Sequence, residues 1–233
     1  MERHNTAPKS PEEHTSPLPS AQETAALIAA GYTVDSLGRP MHPHSDILEP
    51  HIPEGKGGFW NWGPNYTADP IVITPEDRPS ILLVTRADNG MLALPGGFID
   101  PEESSTPMIA AVRELQEETG LTITSEGILI YQGVVEDPRT SLHAWPETSA
   151  YLFTLPERVS VEVVDEHEAP VVDWYYIDEL PDTLHGSHAE LIQRALDIDR
   201  TTTRRGINEI LRIPANQRTI EYITAGHMAY DHL

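Results

Sequence analysis

Apolar and polar positions change rhythm several times along the chain. Residues 1–19 show no apolar period. They are polar and proline-rich, bury too little to offset ordering entropy, and are expected to form a disordered tail. Ser20-Ala-Gln-Glu23 is a capping box that predicts a short helix through about Ala30, with Gly31 as its stop. Periodicity is then lost over residues 31–70, which are rich in Gly, Pro and His and read as an irregular arm. Trp60, Trp62 and Tyr66 are expected to pin that arm onto the main body, with stacking on a substrate base as the alternative.

From residue 71 the pattern turns to strands. Ile71–Ile73, Ile81–Arg86, Met91–Leu94 after the Asp88-Asn89-Gly90 turn, Ile128–Val135, Tyr151–Leu155 and Val171–Ile177 are aliphatic or β-branched runs bounded by turn residues. A helix is predicted over Pro107–Thr119, with Thr106 as N-cap, Pro107 at the first helical position and Gly120 just past the end. Another runs from about Ala189 to Leu196, starting near Ser187 or His188. Weak helical patterns follow at 205–212 and 216–230. The order β-β-β-α-β-β-β-α favours a mixed α/β fold over a doubly wound parallel sheet. The chain divides into a tail (1–19), a helix and arm (20–70), a main domain (71–199) and a C-terminal extension (200–233).

Charge narrows the choice of partner. Among 233 residues, 15 Lys+Arg stand against 37 Asp+Glu, a net charge of −22. Such a field repels phosphate backbones and anionic lipid, so neither nucleic acid nor a membrane is an expected partner. With no cysteine there is no disulfide, no thiolate metal site and no Cys nucleophile. No segment approaches the roughly 18 apolar residues of a membrane span, and the start has no apolar signal core, so the expected location is cytoplasmic.

Chemistry concentrates in the 107–119 helix. At about 100° per residue, Met108, Val112 and Leu115 share a face that must go to the core. Glu114, Glu117 and Glu118 gather within one turn on another side. Three crowded carboxylates repel one another, so something positive should sit among them. Oxygen donors alone suit a hard cation such as Mg²⁺ or Mn²⁺. Arg113 can pair with Glu117 one turn on and hold its orientation. A solvated acidic face is the alternative. Ahead of the helix, Gly96 and Gly97 let backbone N–H groups approach a phosphate closely.

This stretch resembles the Nudix box, G-x5-E-x7-R-E-U-x-E-E-x-G-U, where U is a bulky aliphatic residue. Gly97 and Glu103 match its first half. Arg113, Glu114, Leu115, Glu117, Glu118, Gly120 and Leu121 match its second half. Nine residues rather than seven separate Glu103 from Arg113. The extra pair is assigned to Ser104–Thr106, ahead of the helix, which puts the role of Glu103 in question. Glu102 stands where a glycine is usual. The resemblance implies an α/β/α sandwich that cleaves a nucleoside diphosphate linked to another group, using Mg²⁺ or Mn²⁺. By the same resemblance Glu114, Glu117, Glu118 and Gly97 form the metal set, and Arg113 joins the three glutamates as catalytic residues.

Four further stretches resemble the eukaryotic-type ADP-ribose pyrophosphatase and the related ADP-ribose-binding domain of a melastatin-type cation channel. They are Gly38-Arg39-Pro40 with Pro43; Trp62 through Tyr66 with Ala68-Asp69-Pro70; Glu136 through Arg139 with Ala144-Trp145 and Glu147-Thr148; and Trp174 with Ile177-Asp178 and Ser187-His188. The likeness implies a substrate site of Gly96, Phe98, Asp137, Arg139, Asp178 and His188, and hydrolysis of ADP-ribose to AMP and ribose 5-phosphate. Trp145 reads as a core filler. Glu103, Glu166 and Glu168 are further candidates, the last two because a polar loop supplies the general base in several such enzymes. Two alternatives stay open: a pyrophosphatase for a nucleotide sugar or dinucleotide, and a sensor that binds ADP-ribose without turnover. Dimers are frequent in the family, so a homodimer is a candidate assembly.

Overall fold

A computed structural model of the chain describes residues 17–48, 52–164, 167 and 169–198. Most of the expected tail, Glu166, Glu168 and the extension with its two helical patterns lie outside the described residues. Two compact units are distinguished, Met1–Ala189 and Glu190–Leu233. The described residues of the second are helical, and Arg194 pairs with Glu190 across one turn at 2.6 Å.

The first unit opens with α1 (Ala21–Ala29). Its capping box forms as read: the Ser20 hydroxyl accepts from the Glu23 N–H at 3.2 Å, and Glu23 Oε2 accepts from the Ser20 N–H at 2.7 Å. The strands that follow are β1 (Gly63–Thr74), β2 (Ser80–Thr85), β3 (Leu92–Ala93), β4 (Gly97–Phe98), β5 (Ile128–Val134), β6 (Ala144–Thr154) and β7 (Val171–Tyr176). They make one sheet in the order β3-β2-β1-β6-β5, with β4 on β1 and β7 on β2. The mixed α/β class holds.

Two strands are longer than their apolar runs predict. β1 starts at Gly63, inside the expected arm, and β6 starts at Ala144 rather than Tyr151. Gly63, Pro64, Asp69, Pro70 and Pro146 are poor strand formers. They are extended because β1 and β6 pair in parallel without a break from Gly63↔Ala144 to Ile73↔Thr154. Burial along that ladder overrides local preference.

The sheet also contains a split. β1 and β2 pair only at Ile73↔Ile81 and Thr74↔Ser80. Beyond that point β3 takes the free edge of β2 at Val84 and Thr85, while β4 takes the free edge of β1 at Thr67 and Ala68. The chain joining β3 to β4, which carries Gly96, therefore lies in the opening.

One helix closes the face beside it. α2 (Pro107–Thr119) ends on Gly120, which is left-handed at φ 70° and donates to the Gln116 carbonyl at 3.0 Å. Thr106 occupies the N-cap position, but its side chain makes no cap hydrogen bond. The helix buries Ala110, Ala111 and Leu115 against β-sheet residues Val72, Tyr151 and Phe153, with Met108 and Val112 partly buried around them. Trp145 is fully buried, with the Tyr32 and His42 rings edge-on at 5.7 and 5.1 Å, so it is a core filler as read. The arm is pinned by the buried Phe59 and Trp62, whereas Tyr66 belongs to β1 and is exposed.

Candidate active site

Glu114 and Glu118, one turn apart on α2, are buried, while Glu117 is exposed. The positive charge expected among them comes partly from the helix itself. Arg113 donates to Glu114 Oε1 at 2.7 Å, to Glu117 Oε2 at 3.0 Å and to the Phe98 carbonyl at 3.0 Å. It also forks onto both oxygens of Glu103 at 2.9 Å. These partners, Glu103 first, push the guanidinium still further up, and it is charged at every working pH. In return Arg113 holds the Glu103 carboxyl below its usual range. Glu103 thus braces Arg113. The turn Pro101–Glu103 delivers it, and Ser104–Thr106 span the gap to the helix.

The glycines of the opening are required by what they touch. A Cβ on Gly97 would stand 2.6 Å from the Glu114 carboxyl carbon and 2.6 and 2.7 Å from its oxygens. Gly96 has φ +149° and donates its N–H to Glu118 Oε2 at 3.0 Å. A Cβ there would stand 2.5 Å from Asp69 Oδ1 and 2.7 Å from the Ala68 carbonyl. One glycine is therefore shaped by Glu114 and the other by Asp69.

Asp69 has no role in the sequence reading beyond its place in the Ala68-Asp69-Pro70 stretch. It is buried on β1 and accepts a short hydrogen bond from the Thr148 hydroxyl on β6. Burial pushes its carboxyl up to about 6, and the nearby Asp137 charge adds to this. A signal was present, since an aspartate inside a strand is disfavoured and needs a reason.

A second group forms around Asp137. Arg139 Nε and Nη2 fork onto its two oxygens at 2.9 and 2.7 Å, and the Arg139 N–H adds a third bond at 2.7 Å. Burial alone would raise Asp137, but hydrogen bonds from Arg139 and His185 outweigh it and hold the carboxyl well below the usual range. His185 Nε2 stands 3.7 Å from Asp137 Oδ2, and the His185 and His188 rings meet edge-on at 5.5 Å. Leu94 donates its N–H to His188 Nδ1 at 2.8 Å, so the neutral ring carries its proton on Nε2. Burial, with His185 second, pushes His188 down to about 3, and the ring is neutral near pH 7. His185 was not singled out in the sequence. Its place three residues before His188, at the start of a helix, was the available hint.

Asp178 does not join this group. It follows the end of β7 that pairs with Ser80, whereas His185 bonds to Leu92 beside the Thr85 end of β2. Its two oxygens both accept from Arg78 Nε, at 3.0 and 3.1 Å, and its side chain is 65% exposed. Of the residues expected at the substrate site, Asp178 is thus not brought to the Asp137 group; it closes a surface ion pair with Arg78.

Among the described residues, no three His, Cys, Asp or Glu side chains stand as a ready cation cage. The donors nevertheless fit a hard cation. Glu114 and Glu118 bring only oxygens, both meet the Gly96–Gly97 backbone, and Gly97 leaves open the space a Cβ would fill. Glu117 leans on Arg113.

Comparison with known proteins matches residues 65–195 to the NUDIX domain family. The mitochondrial ADP-ribose pyrophosphatase of Rattus norvegicus is 31% identical over 195 residues, covering 67% of this chain and 53% of that one. A transient receptor potential cation channel, subfamily M member-like 2, of Nematostella vectensis is 27% identical over 175 residues, covering 60% of this chain and 11% of that one. The chain spans about half the length of the first curated relatives it matches. Among solved structures, the NUDIX domain of Shewanella oneidensis NrtR complexed with ADP ribose aligns with TM-score 0.48 at 20% identity, covering 67% of this chain and 98% of that one. Among the described residues no helix is long and apolar enough to cross a membrane.

Proposed function

The chain belongs to the Nudix hydrolase family, and we propose that it hydrolyses the pyrophosphate bond of ADP-ribose to AMP and ribose 5-phosphate. The observation that carries this reading is the meeting of two groups at one opening in the sheet. Glu114 and Glu118 contact the Gly96–Gly97 backbone, and Leu94, two residues earlier, is bonded to His188 of the Asp137 group. The similarity to the rat pyrophosphatase supports the choice of substrate.

Glu114, Glu117, Glu118 and the carbonyl of Gly97 would hold Mg²⁺ or Mn²⁺. When bound, the cation neutralises charge on the pyrophosphate oxygens and acidifies a water. The chain's own residues do the rest. Arg113, braced by Glu103, fixes Glu114 and Glu117 before substrate arrives. Gly96 fixes Glu118 through its N–H. Asp137 takes Nε and Nη2 of Arg139 and so aims Nη1 at an anion. His188, neutral, offers an Nε2–H donor to the ligand. No covalent intermediate is required.

A substrate panel of ADP-ribose, NADH, a diadenosine polyphosphate and a nucleotide sugar, each with Mg²⁺ and with EDTA, tests the reading. AMP and ribose 5-phosphate should form fastest from ADP-ribose, and only with metal. Faster turnover of another member would move the chain to a different substrate class. Tight ADP-ribose binding with no product would make it a sensor.

A further inference from the structure

The arm segment before β1 is built onto the loop that carries Arg139. Leu142 donates its N–H to the Pro53 carbonyl at 2.8 Å, and the Ser141 hydroxyl donates to the Gly55 carbonyl at 2.6 Å. Gly57 has φ +56°, and a Cβ there would stand 2.6 Å from the Arg139 carbonyl. Gly58 faces the side chain instead. A Cβ on it would lie 3.3 Å from Arg139 Cβ, 3.3 Å from Cγ and 3.5 Å from Cδ. The next residue, Phe59, is 1% exposed and holds its ring 5.0 Å from Arg139 Cζ, with the Phe98 ring at 5.9 Å. The stem of Arg139 therefore rests on a bare glycine, and its head lies over an aromatic ring.

This seat matters because Asp137 alone leaves Arg139 incompletely defined. The fork fixes the plane of the guanidinium relative to the carboxylate, but that carboxylate lies only two residues away on the same loop. An outside surface is needed to fix where the pair points. Among the described residues, Nη1 donates to none, and the Arg139 side chain is 36% exposed. It is a donor presented outward from a rigid mount.

We propose that Gly58 and Phe59 are positioning residues that set the direction in which Arg139 presents Nη1, and so set the affinity of the site for a nucleoside diphosphate ester. This rests on the reading of Arg139 as a substrate-binding group. Gly58 is the sharper probe. Its backbone is not left-handed, so alanine is conformationally allowed, and the three heavy atoms nearest the added methyl all belong to the Arg139 stem.

The test is a double-mutant cycle on the full chain, read as the ADP-ribose Kd by calorimetry in EDTA, alongside kcat with Mg²⁺ and the melting temperature. Arg139→Ala should weaken binding about 30-fold, the loss of a charge-assisted hydrogen bond. Gly58→Ala should weaken it about 5-fold, with kcat within about twofold and the melting temperature unchanged. In the Arg139→Ala background, Gly58→Ala should add nothing, because both act through one side chain. Phe59→Leu, which keeps the bulk and removes the ring face, should follow Gly58→Ala. Normal binding by Gly58→Ala and Phe59→Leu beside a weakened Arg139→Ala overturns the inference alone. A Gly58→Ala effect that persists in full without Arg139 overturns it too. Normal binding by Arg139→Ala removes the reading beneath it, and the inference with it. Should Phe59→Leu fail to fold, the Gly58→Ala cycle decides by itself.

Discussion

The acidic and the cationic halves of the candidate site are built in opposite ways. Arg113, Glu114, Glu117 and Glu118 come from little more than one turn of α2, so helix geometry alone sets their spacing. Asp137, Arg139, His185 and His188 come from two loops about fifty residues apart, bridged by the bond from the Glu136 N–H to the Ser187 hydroxyl at 2.7 Å. They are tied to β3 by Leu94–His188 and Leu92–His185. The acidic half is a local object that only needs a place to point. The cationic half exists only once the sheet has formed. Substitutions in the first should therefore change chemistry with little effect on folding. In the second they should change binding, and some should also change stability.

The largest expected effect tests the first half of that contrast. Glu118→Gln keeps an oxygen that can accept the Gly96 N–H and removes only the charge. It should lower kcat by about 10³-fold while the unfolding free energy stays within about 0.5 kcal/mol of wild type. Glu117→Gln, on the exposed side, should fall in the same direction. Turnover near wild type in both purified proteins would show that the acidic half is a surface feature.

The two glycines divide the same contrast within one dipeptide. Gly97→Ala places a methyl against the Glu114 carboxylate without backbone strain, so Glu114 must swing away. A displacement of about 1 Å there should cost kcat about 10²-fold. Gly96→Ala meets Asp69 and a backbone carbonyl at a left-handed φ, so it should lower stability by about 2 kcal/mol or more. Urea unfolding and steady-state kinetics on both variants separate the two effects. Equal loss of stability in both would mean that Gly97 is also a folding glycine.

What could be read from the chain follows the same division. The helix, its Gly120 stop, the α1 capping box and the Arg113–Glu117 pair depend on residues within four positions of one another, and all appear in the structure. The local pattern predicts shorter β1 and β6 because Pro64, Pro70 and Pro146 argue against strands, and the pairing that overrules them links residues about eighty positions apart. Asp69 had no role for the same reason, since its partner Thr148 lies on β6. Asp137, Arg139 and Asp178 are all expected at the site by likeness; in the structure the first two fork onto each other within one loop, whereas Asp178 pairs with Arg78, a hundred positions away.

A smaller effect probes the cationic half directly. Asp137→Asn keeps the shape and removes the charge that holds Arg139. ADP-ribose binding should weaken about 10-fold with kcat changed far less, since the fork is lost in free and transition states alike. A loss confined to kcat would place Asp137 among the residues acting on the reacting bond.

The smallest effect is a pair of opposed pH slopes, one from each side of the split. His188, pushed down to about 3 from 6.5, binds its proton less readily folded than unfolded. Its contribution to stability is present above pH 6.5 and is lost as pH falls toward 3. Asp69, pushed up to about 6 from 3.8, behaves in reverse: its contribution is full below pH 3.8 and is lost as pH rises to 6. Between pH 4 and 6 the two largely cancel in the wild type, each being worth on the order of 1–3 kcal/mol across its window. Single substitutions uncover them. Relative to wild type, the unfolding free energy of His188→Gln should fall as pH rises through that window, and that of Asp69→Asn should climb. Urea titrations at pH 4, 5 and 6 read both signs. Parallel curves for the two variants would mean that neither group is desolvated by the closed sheet, and the cationic half would then be an open surface rather than a pocket made by long-range pairing.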